Sequence, residues 1–296
     1  MLMSDYKIYN CDCIEFMKDM VNQGKKVDCI ITDPPYLYLN HKLDRQFSEE
    51  LFFELAGKIT NKLVFFGRGD SFYKWNLLAK EQGFQFKEEI IWNKKHTTSP
   101  FHKLARAHET ISVRMKYGYI INKVKIDALR KHFNEDDFYA LINDLKRVFS
   151  SVKNSDVIKD YLEKGICILE LNKSKHSLTT DKILKNVDRN IKTIDKYKEG
   201  TILSSIITEN REHYTMEPPT QKPIKLLEKL VLLATNENET ILDPFMGSGS
   251  TGLACLFKNR NFIGCEIDKE YFEIAERRLK STQDTLKQNL FYGMDI

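Results

Sequence analysis

Residues 242–252 read LDPFMGSGSTG, and this stretch constrains the fold more than any other. The apolar residues before it suit a buried strand and "STGLACLFKN" suits a helix, so a Gly-x-Gly turn joins the two. Glycines at such a turn let a ligand approach the backbone at a helix N-terminus. The next strand, "NFIGCEI", carries Glu266 at its end, where a carboxylate can accept hydrogen bonds from a ribose diol. Strand, loop, helix and strand in that order require a crossover, hence parallel strands with the ligand at their carboxyl ends. Gly252 also completes a GxGxxG spacing, so spacing alone leaves a dinucleotide open.

The rest of the chain extends this pattern. "KVDCIITD" reads as a buried strand, "SEELFFELAGKIT" as an amphipathic helix, and "KLVFFG" as a second strand. "SFYKWNLLAKEQG" is a helix closed by Gly83. "FKEEIIWNK" and "ETISVRM" follow as strands around a basic loop. After the middle of the chain, "TQKPIKLLEKLVLLAT" and "DKEYFEIAERRLKST" are helices, the second capped by Asp268. The alternation predicts an α/β fold with a mostly parallel sheet. Between Gly118 and Arg211 the texture changes to Lys, Asp and Asn, with short amphipathic patterns such as "DFYALINDLKRVF" and one strand-like run, "GICILEL". A structureless loop of that length inside a compact domain is improbable, so the segment reads as an insertion. The organisation is a first half over 1–118, an inserted region over 119–211 and a second half over 212–296.

The stretch "CIITDPPYLYLN" then stands out. An apolar strand stops on Asp33, and Pro34 and Pro35 fix two φ angles and remove two N–H donors. The elbow holds Asp33 and Tyr36 in place at a strand end, where α/β sheets bind ligands.

"DPPY" early and "DPFMGSGST" late together resemble the amino-group DNA methyltransferases that use S-adenosylmethionine. The order resembles the permuted β group, in which the catalytic motif comes first and the cofactor loop last. "PTQKP" at Pro219–Pro223, "GCEIDKEYFEIAERR" and "YNCDCIEFM" are further matches. The resemblance covers roughly residues 5–118 and 212–280. It implies a Rossmann-like methyltransferase sheet in circularly permuted order, with a mostly helical inserted target-recognition region. It implies methyl transfer to an exocyclic amine, whose lone pair is delocalised into the ring. Asp33 would accept one amine hydrogen and the Pro34 carbonyl the other, which stabilises and positions the transition state. Pro35 would keep the elbow stiff, and Tyr36 would offer a face to an extruded base. The cofactor would be held by Asp12, Cys13, Lys222, Asp243, Pro244, Phe245, Gly247, Ser248, Gly249, Ser250, Glu266 and Ile267. Within this set Asp12 would approach the adenine, Lys222 the carboxylate and Glu266 the ribose.

Charge adds a partner. The net charge is only +4, but between Ile91 and Tyr117 the acid Glu109 stands among Lys94, Lys95, Lys103, Arg106, Arg114 and Lys116. Such a local excess suits a polyanion, and Lys94, Lys95, His96, Lys103 and Arg106 are the expected DNA contacts. His96, His102 and His108 share that stretch, and phosphate or solvent suits them better than metal, so no metal is expected. Six cysteines without a CxxC pair read as reduced, buried hydrophobes. With no signal peptide or apolar 18-residue run, the expected setting is cytoplasmic and without membrane contact.

Rival readings stay in view. C5-cytosine chemistry needs a cysteine nucleophile, which that family carries after proline, and this chain has no Pro-Cys dipeptide. Cytosine-N4 enzymes usually carry serine where Asp33 stands, so the motif favours adenine N6. A nicotinamide dehydrogenase would leave DPPY without a role, and a catalytically silent DNA-binding module would not need Asp33, Tyr36 and Gly247 intact. Homodimerisation and a cognate restriction endonuclease are left open by the sequence.

Overall fold

The computed structural model describes residues 4–36, 45–95, 107–126, 201–210 and 221–292. The chain divides into two units, 1–124 together with 204–296, and 125–203. In the first unit, β1 (Tyr6–Asn10), α1 (Cys13–Asn22), β2 (Cys29–Thr32), α2 (Glu49–Ile59), β3 (Lys62–Gly67) and α3 (Gly69–Glu81) alternate. β4 (Gln85–Asn93) and β5 (His108–Met115) follow. After the second unit come β8 (Ile206–Thr208), α4 (Ile224–Ala234), β9 (Thr240–Asp243), α5 (Ser250–Phe257), β10 (Asn261–Glu266) and α6 (Lys269–Tyr292). The described part of the second unit is a short antiparallel pair, β6 (Lys125–Ile126) with β7 (Thr201–Ile202).

Eight strands form one sheet in the order β1-β10-β9-β2-β3-β5-β4-β8. β5 runs antiparallel to both β3 and β4, and every other pairing is parallel. The mostly parallel sheet read from the alternation is therefore present, with β5 as the reversed strand. β3 is buried at all six positions, which requires cover on both faces of the sheet. One cover is an aromatic-rich cluster: Phe52, Phe53 and Trp75 from α2 and α3 pack with Met17 of α1 and Phe65 of β3. The other comes from α4, α5 and α6, whose Leu226, Leu230, Leu253 and Leu279 are all buried.

Several local signals act as read. Asp268 Oδ1 accepts from the Glu270 and Tyr271 amides at 3.0 and 3.3 Å, capping α6. Gly83 takes φ +84 just past α3, the left-handed C′ conformation. The patterns "GICILEL" and "DFYALINDLKRVF" lie outside the described residues. The five described cysteines are free. Among the described residues no helix is long and apolar enough to cross a membrane, and no group of three or more His, Cys, Asp or Glu could hold a metal ion.

The topology decides what the site can be. β2 pairs with β9, Cys29 beside Ile241 and Ile30 beside Leu242. Two strands that are far apart in sequence thus end side by side, and β10 and β1 end next to them.

Candidate active site

β2 ends at Thr32, so the DPPY elbow begins where the strand leaves the sheet. Pro34 is buried, while Asp33, Pro35 and Tyr36 are part-exposed. The Tyr36 hydroxyl donates to Asp33 Oδ1. Its ring lies 5.8 Å from that of Trp75, which is anchored by donating to Glu49 Oε1 at 2.7 Å. One face of the tyrosine is thereby backed by the core.

The other carboxylate oxygen of Asp33 is paired with Lys222. This placement differs from the cofactor contact that the resemblance implies for Lys222. Its ammonium joins Asp33 to Glu109 Oε2, the latter at 3.3 Å. Glu109 Oε1 in turn pairs with Lys94. The result is a nearly buried row of alternating sign, Asp33, Lys222, Glu109 and Lys94. Burial pushes the Asp33 carboxyl above its ordinary value, Glu109 adds to that, and Lys222 opposes it. Lys222 is itself raised: burial works against its charge, but Asp33 and Glu109 together outweigh burial.

Lys94 also departs from its expected role. Its side chain is 5% exposed, so it serves Glu109 rather than facing solvent as a phosphate contact would. Lys95 next to it is exposed. His96, Lys103 and Arg106 lie outside the described residues. In the sequence Glu109 stands as a lone acid among bases, with no sign of this pairing. The available signal was its place in β5, where a strand position can turn a charge inward.

The glycine loop lies beside the elbow. Gly247 and Gly249 have φ of +52 and +80, a region that side chains other than glycine rarely adopt. A Cβ on Gly247 would meet nothing within 4 Å, so that flank of the backbone is open to a ligand. A Cβ on Gly249 would come within 3.0 Å of Ala275 Cβ, so here glycine also lets α6 pack. Arg278 of α6 steadies the loop, donating to the Ser248 carbonyl at 2.6 Å and its Oγ at 2.9 Å, and to Ser250 Oγ at 3.3 Å. Arg278 is a second residue that motif reading passed over.

Glu266 ends β10 and accepts from the Gly247 amide at 3.0 Å and the Asp268 amide at 2.8 Å. A carboxylate has about four acceptor positions, so it can hold the loop and still take a diol. Ile267 after it is 47% exposed, an apolar surface just past the carboxyl end of β10. Asp12 caps α1, its Oδ1 accepting from the Ile14 and Glu15 amides at 2.9 and 3.1 Å, and the following Cys13 is buried. The Cys11 amide donates to the Glu266 carbonyl, which sets this cap beside the end of β10. Phe245 packs between Phe47 and Phe52.

Asp243 does something else. It is buried and accepts from Thr32 Oγ1 and Thr251 Oγ1, both at 2.7 Å, and from the Phe245 amide at 3.1 Å. With three internal donors it ties β2, β9 and α5 together, and Pro244 after it is buried. Both lie beneath the site rather than at its surface.

The open flank of Gly247, the spare acceptor positions of Glu266 and the apolar surface of Ile267 fit a nucleoside-bearing cofactor. An acid at an adjacent strand end fits a hydrogen-bond donor presented to it. The sequence matches the DNA methylase profile of N6 and N4 methyltransferases over residues 27–277. The chain belongs to this DNA methylase family. It is 24% identical to the type II methyltransferase M.BglII of Bacillus subtilis over 304 residues, 94% of this chain and 70% of that protein. With M2.DpnII of Streptococcus pneumoniae the identity is 44% over 79 residues, 27% of this chain. That match spans 30% of M2.DpnII, and the one to M2.LlaDCHI of Lactococcus lactis spans 35%, about a third of the length of each. In structure the chain is similar to the M1.HpyAVI–SAM complex, with a TM-score of 0.59, 24% identity and coverage of 93% of this chain and 98% of that one. It is also similar to the cytosine-N4-specific PvuII DNA methyltransferase, with a TM-score of 0.55, 15% identity and coverage of 95% and 91%.

Proposed function

We propose that this protein is a DNA methyltransferase that moves a methyl group from S-adenosylmethionine to the N6 amine of an adenine turned out of the helix. The observation that carries the reading is Asp33 at the end of β2, next to the strand that leads into the glycine loop. When bound, S-adenosylmethionine supplies an electrophilic methyl group on a sulfonium. Gly247, Ser248, Gly249 and Ser250 would bound it on one side, with Glu266 at the ribose and Ile267 and Asp12 near the base. The residues at the amine accept hydrogens. The Asp33 carboxylate and Pro34 carbonyl draw the two N–H bonds out of the ring plane, which frees the nitrogen lone pair. Asp33 is also placed to take the proton that the amine must shed, and its raised pKa suits that task. Trp75 packs against Tyr36, whose ring would stack on the extruded base. An acid at this position, in place of the serine usual in N4 enzymes of similar sequence, favours adenine over cytosine. Lys95 is suited to the phosphate backbone, and residues 119–211 are the candidate reader of neighbouring bases.

The test is incubation of the protein with duplex DNA and labelled S-adenosylmethionine, followed by mass spectrometry of the nucleosides. N6-methyladenine is the expected product, and N4-methylcytosine would overturn the base assignment. Asp33→Ala should lower the rate by about 10²-fold or more. Near wild-type transfer by that variant would remove Asp33 from the chemistry.

A further inference from the structure

The ion row behind Asp33 has a consequence for the reaction. Lys222 donates to Asp33 and forms an ion pair with Glu109 Oε2 at 3.3 Å, with its ammonium 5.0 Å above the Phe66 ring. Glu109 is shared in the same way between Lys222 and Lys94, and Lys94 lies 5.2 Å over the Trp92 ring. The Lys222, Glu109 and Lys94 side chains are 12%, 10% and 5% exposed, so water screens these pairs little. Among the described residues the groups facing Asp33 are Lys222 ahead of α4, Glu109 on β5, Tyr36 on its own elbow and, more weakly, Asp243 on β9.

We propose that Lys222, shared with Glu109 and braced through it by Lys94, is a positioning residue that keeps Asp33 ionised and moderately basic for the target amine. The proposal rests on the reading of Asp33 given above. The reasoning is a balance of two opposite failures. Without Lys222, the part-exposed Asp33 and the largely shielded Glu109 would be neighbouring carboxylates with no cation between them, and each would raise the other's affinity for a proton. A larger share of Asp33 would then be protonated at any given pH and unable to accept an amine hydrogen. Without Glu109, Lys222 would belong to Asp33 alone. Asp33 would stay ionised to lower pH, but its charge would be spent on the lysine and it would be a poorer acceptor.

The two failures shift the acid limb of the pH profile in opposite directions. The experiment is single-turnover methyl transfer to DNA between pH 5 and 9, with saturating S-adenosylmethionine, for wild type, Lys222→Met, Lys222→Arg and Glu109→Gln. The expected limb moves up by about one pH unit or more in Lys222→Met. It should move down in Glu109→Gln and return toward wild type in Lys222→Arg. Calorimetric affinity for S-adenosylmethionine should stay within a few-fold in all three. If Lys222→Met does not fold, the limbs of Lys222→Arg and Glu109→Gln decide. Loss of rate at every pH with unmoved limbs would reduce the row to a scaffold and overturn the proposal. A large loss of cofactor affinity with unmoved limbs would make Lys222 a cofactor ligand, which also overturns it. Asp33→Ala run alongside separates the two ideas. An active Asp33→Ala removes the reading of Asp33, whereas an inactive one with unmoved limbs removes only the role of Lys222.

Discussion

The Thr32 hydroxyl donates to Asp243 Oδ1 at 2.7 Å, joining the last residue of β2 to the last residue of β9. Both are buried, at 1% and 3% exposure, and this bond aligns the elbow with the glycine loop. Burial pushes the Asp243 carboxyl up to about 6, with the bonds from Thr251, Thr32 and Phe245 working against it. Thr32→Val removes a donor that favours the ionised form, and should cost about 1–3 kcal/mol of stability at neutral pH. The sign with pH follows. A protonated Asp243 has less need of the donor, and losing it lifts the variant's carboxyl above the wild-type value of about 6, so the deficit should be full above that raised value and shrink as the pH falls from there to about 6. Denaturant melts at pH 7.5 and 5.5 would show it, and an equal deficit at both pH values would mean that Asp243 is not the partner that matters.

Glu266 holds the loop through the Gly247 amide and, in the proposed reading, would also receive the ribose. Glu266→Ala should weaken S-adenosylmethionine binding by about 1.5–3 kcal/mol, the scale of hydrogen bonds to a charged group. Glu266→Gln keeps one acceptor oxygen and should lose less. Calorimetry on the free protein distinguishes the two, and unchanged affinity in both variants would place the ribose elsewhere.

The two loop glycines should separate binding from folding. Alanine at Gly247 meets open space and bears only the left-handed φ, a cost of about 1–2 kcal/mol. Its methyl would stand in the flank left for the cofactor. Alanine at Gly249 bears the same strain and also crowds Ala275. Gly247→Ala is expected to bind S-adenosylmethionine poorly while melting only a few degrees below wild type, and Gly249→Ala to melt lower still. The reverse ranking would reverse the two roles.

Much of this was legible beforehand because it depends on local rules. The β3 strand, the Asp268 cap and the Gly83 stop are set by apolar runs, a short acceptor and a left-handed turn, all within a few residues. The ion row was not legible, because it joins residues from three distant parts of the chain. Nothing near Lys222 in sequence indicates Asp33 or Glu109. The same reason hid Asp243: a strand-end acid before a glycine loop suggests a ligand, and only the neighbouring strand supplies Thr32 to claim it. Lys94 and Lys95 have the same side chain, and the turn of the backbone after β4 alone decides which is buried.

Tyr36 tests whether its ring or its hydroxyl matters. The hydroxyl donates to Asp33 and helps to hold that carboxylate. Tyr36→Phe keeps the stacking face and loses one hydrogen bond to a charged group, so about a ten-fold loss of methyl transfer is expected. Tyr36→Ala also loses stacking worth about 1–3 kcal/mol, so its deficit should be much larger and should include weaker binding of the extruded base. Equal damage in both variants would assign the whole effect to the hydroxyl.

The last prediction separates the paired lysines. Lys95 is exposed, on a backbone at φ +61, whereas Lys94 is buried against Glu109. A cation on a phosphate releases counterions, so Lys95→Gln should weaken binding to all DNA alike and flatten the salt dependence by about one unit of slope. Lys94→Gln should leave the salt slope intact, because its charge never faces the phosphates. Its effect should fall on Glu109, which would lose a buried counter-charge, and so on the stability of the strand pair β4 and β5 and on the rate of methyl transfer. Binding titrations across a series of salt concentrations, with single-turnover rates on the same preparations, measure both. A salt slope that falls equally in the two variants would mean that Lys94 turns outward when DNA binds, and the buried ion row would then belong to the free protein alone.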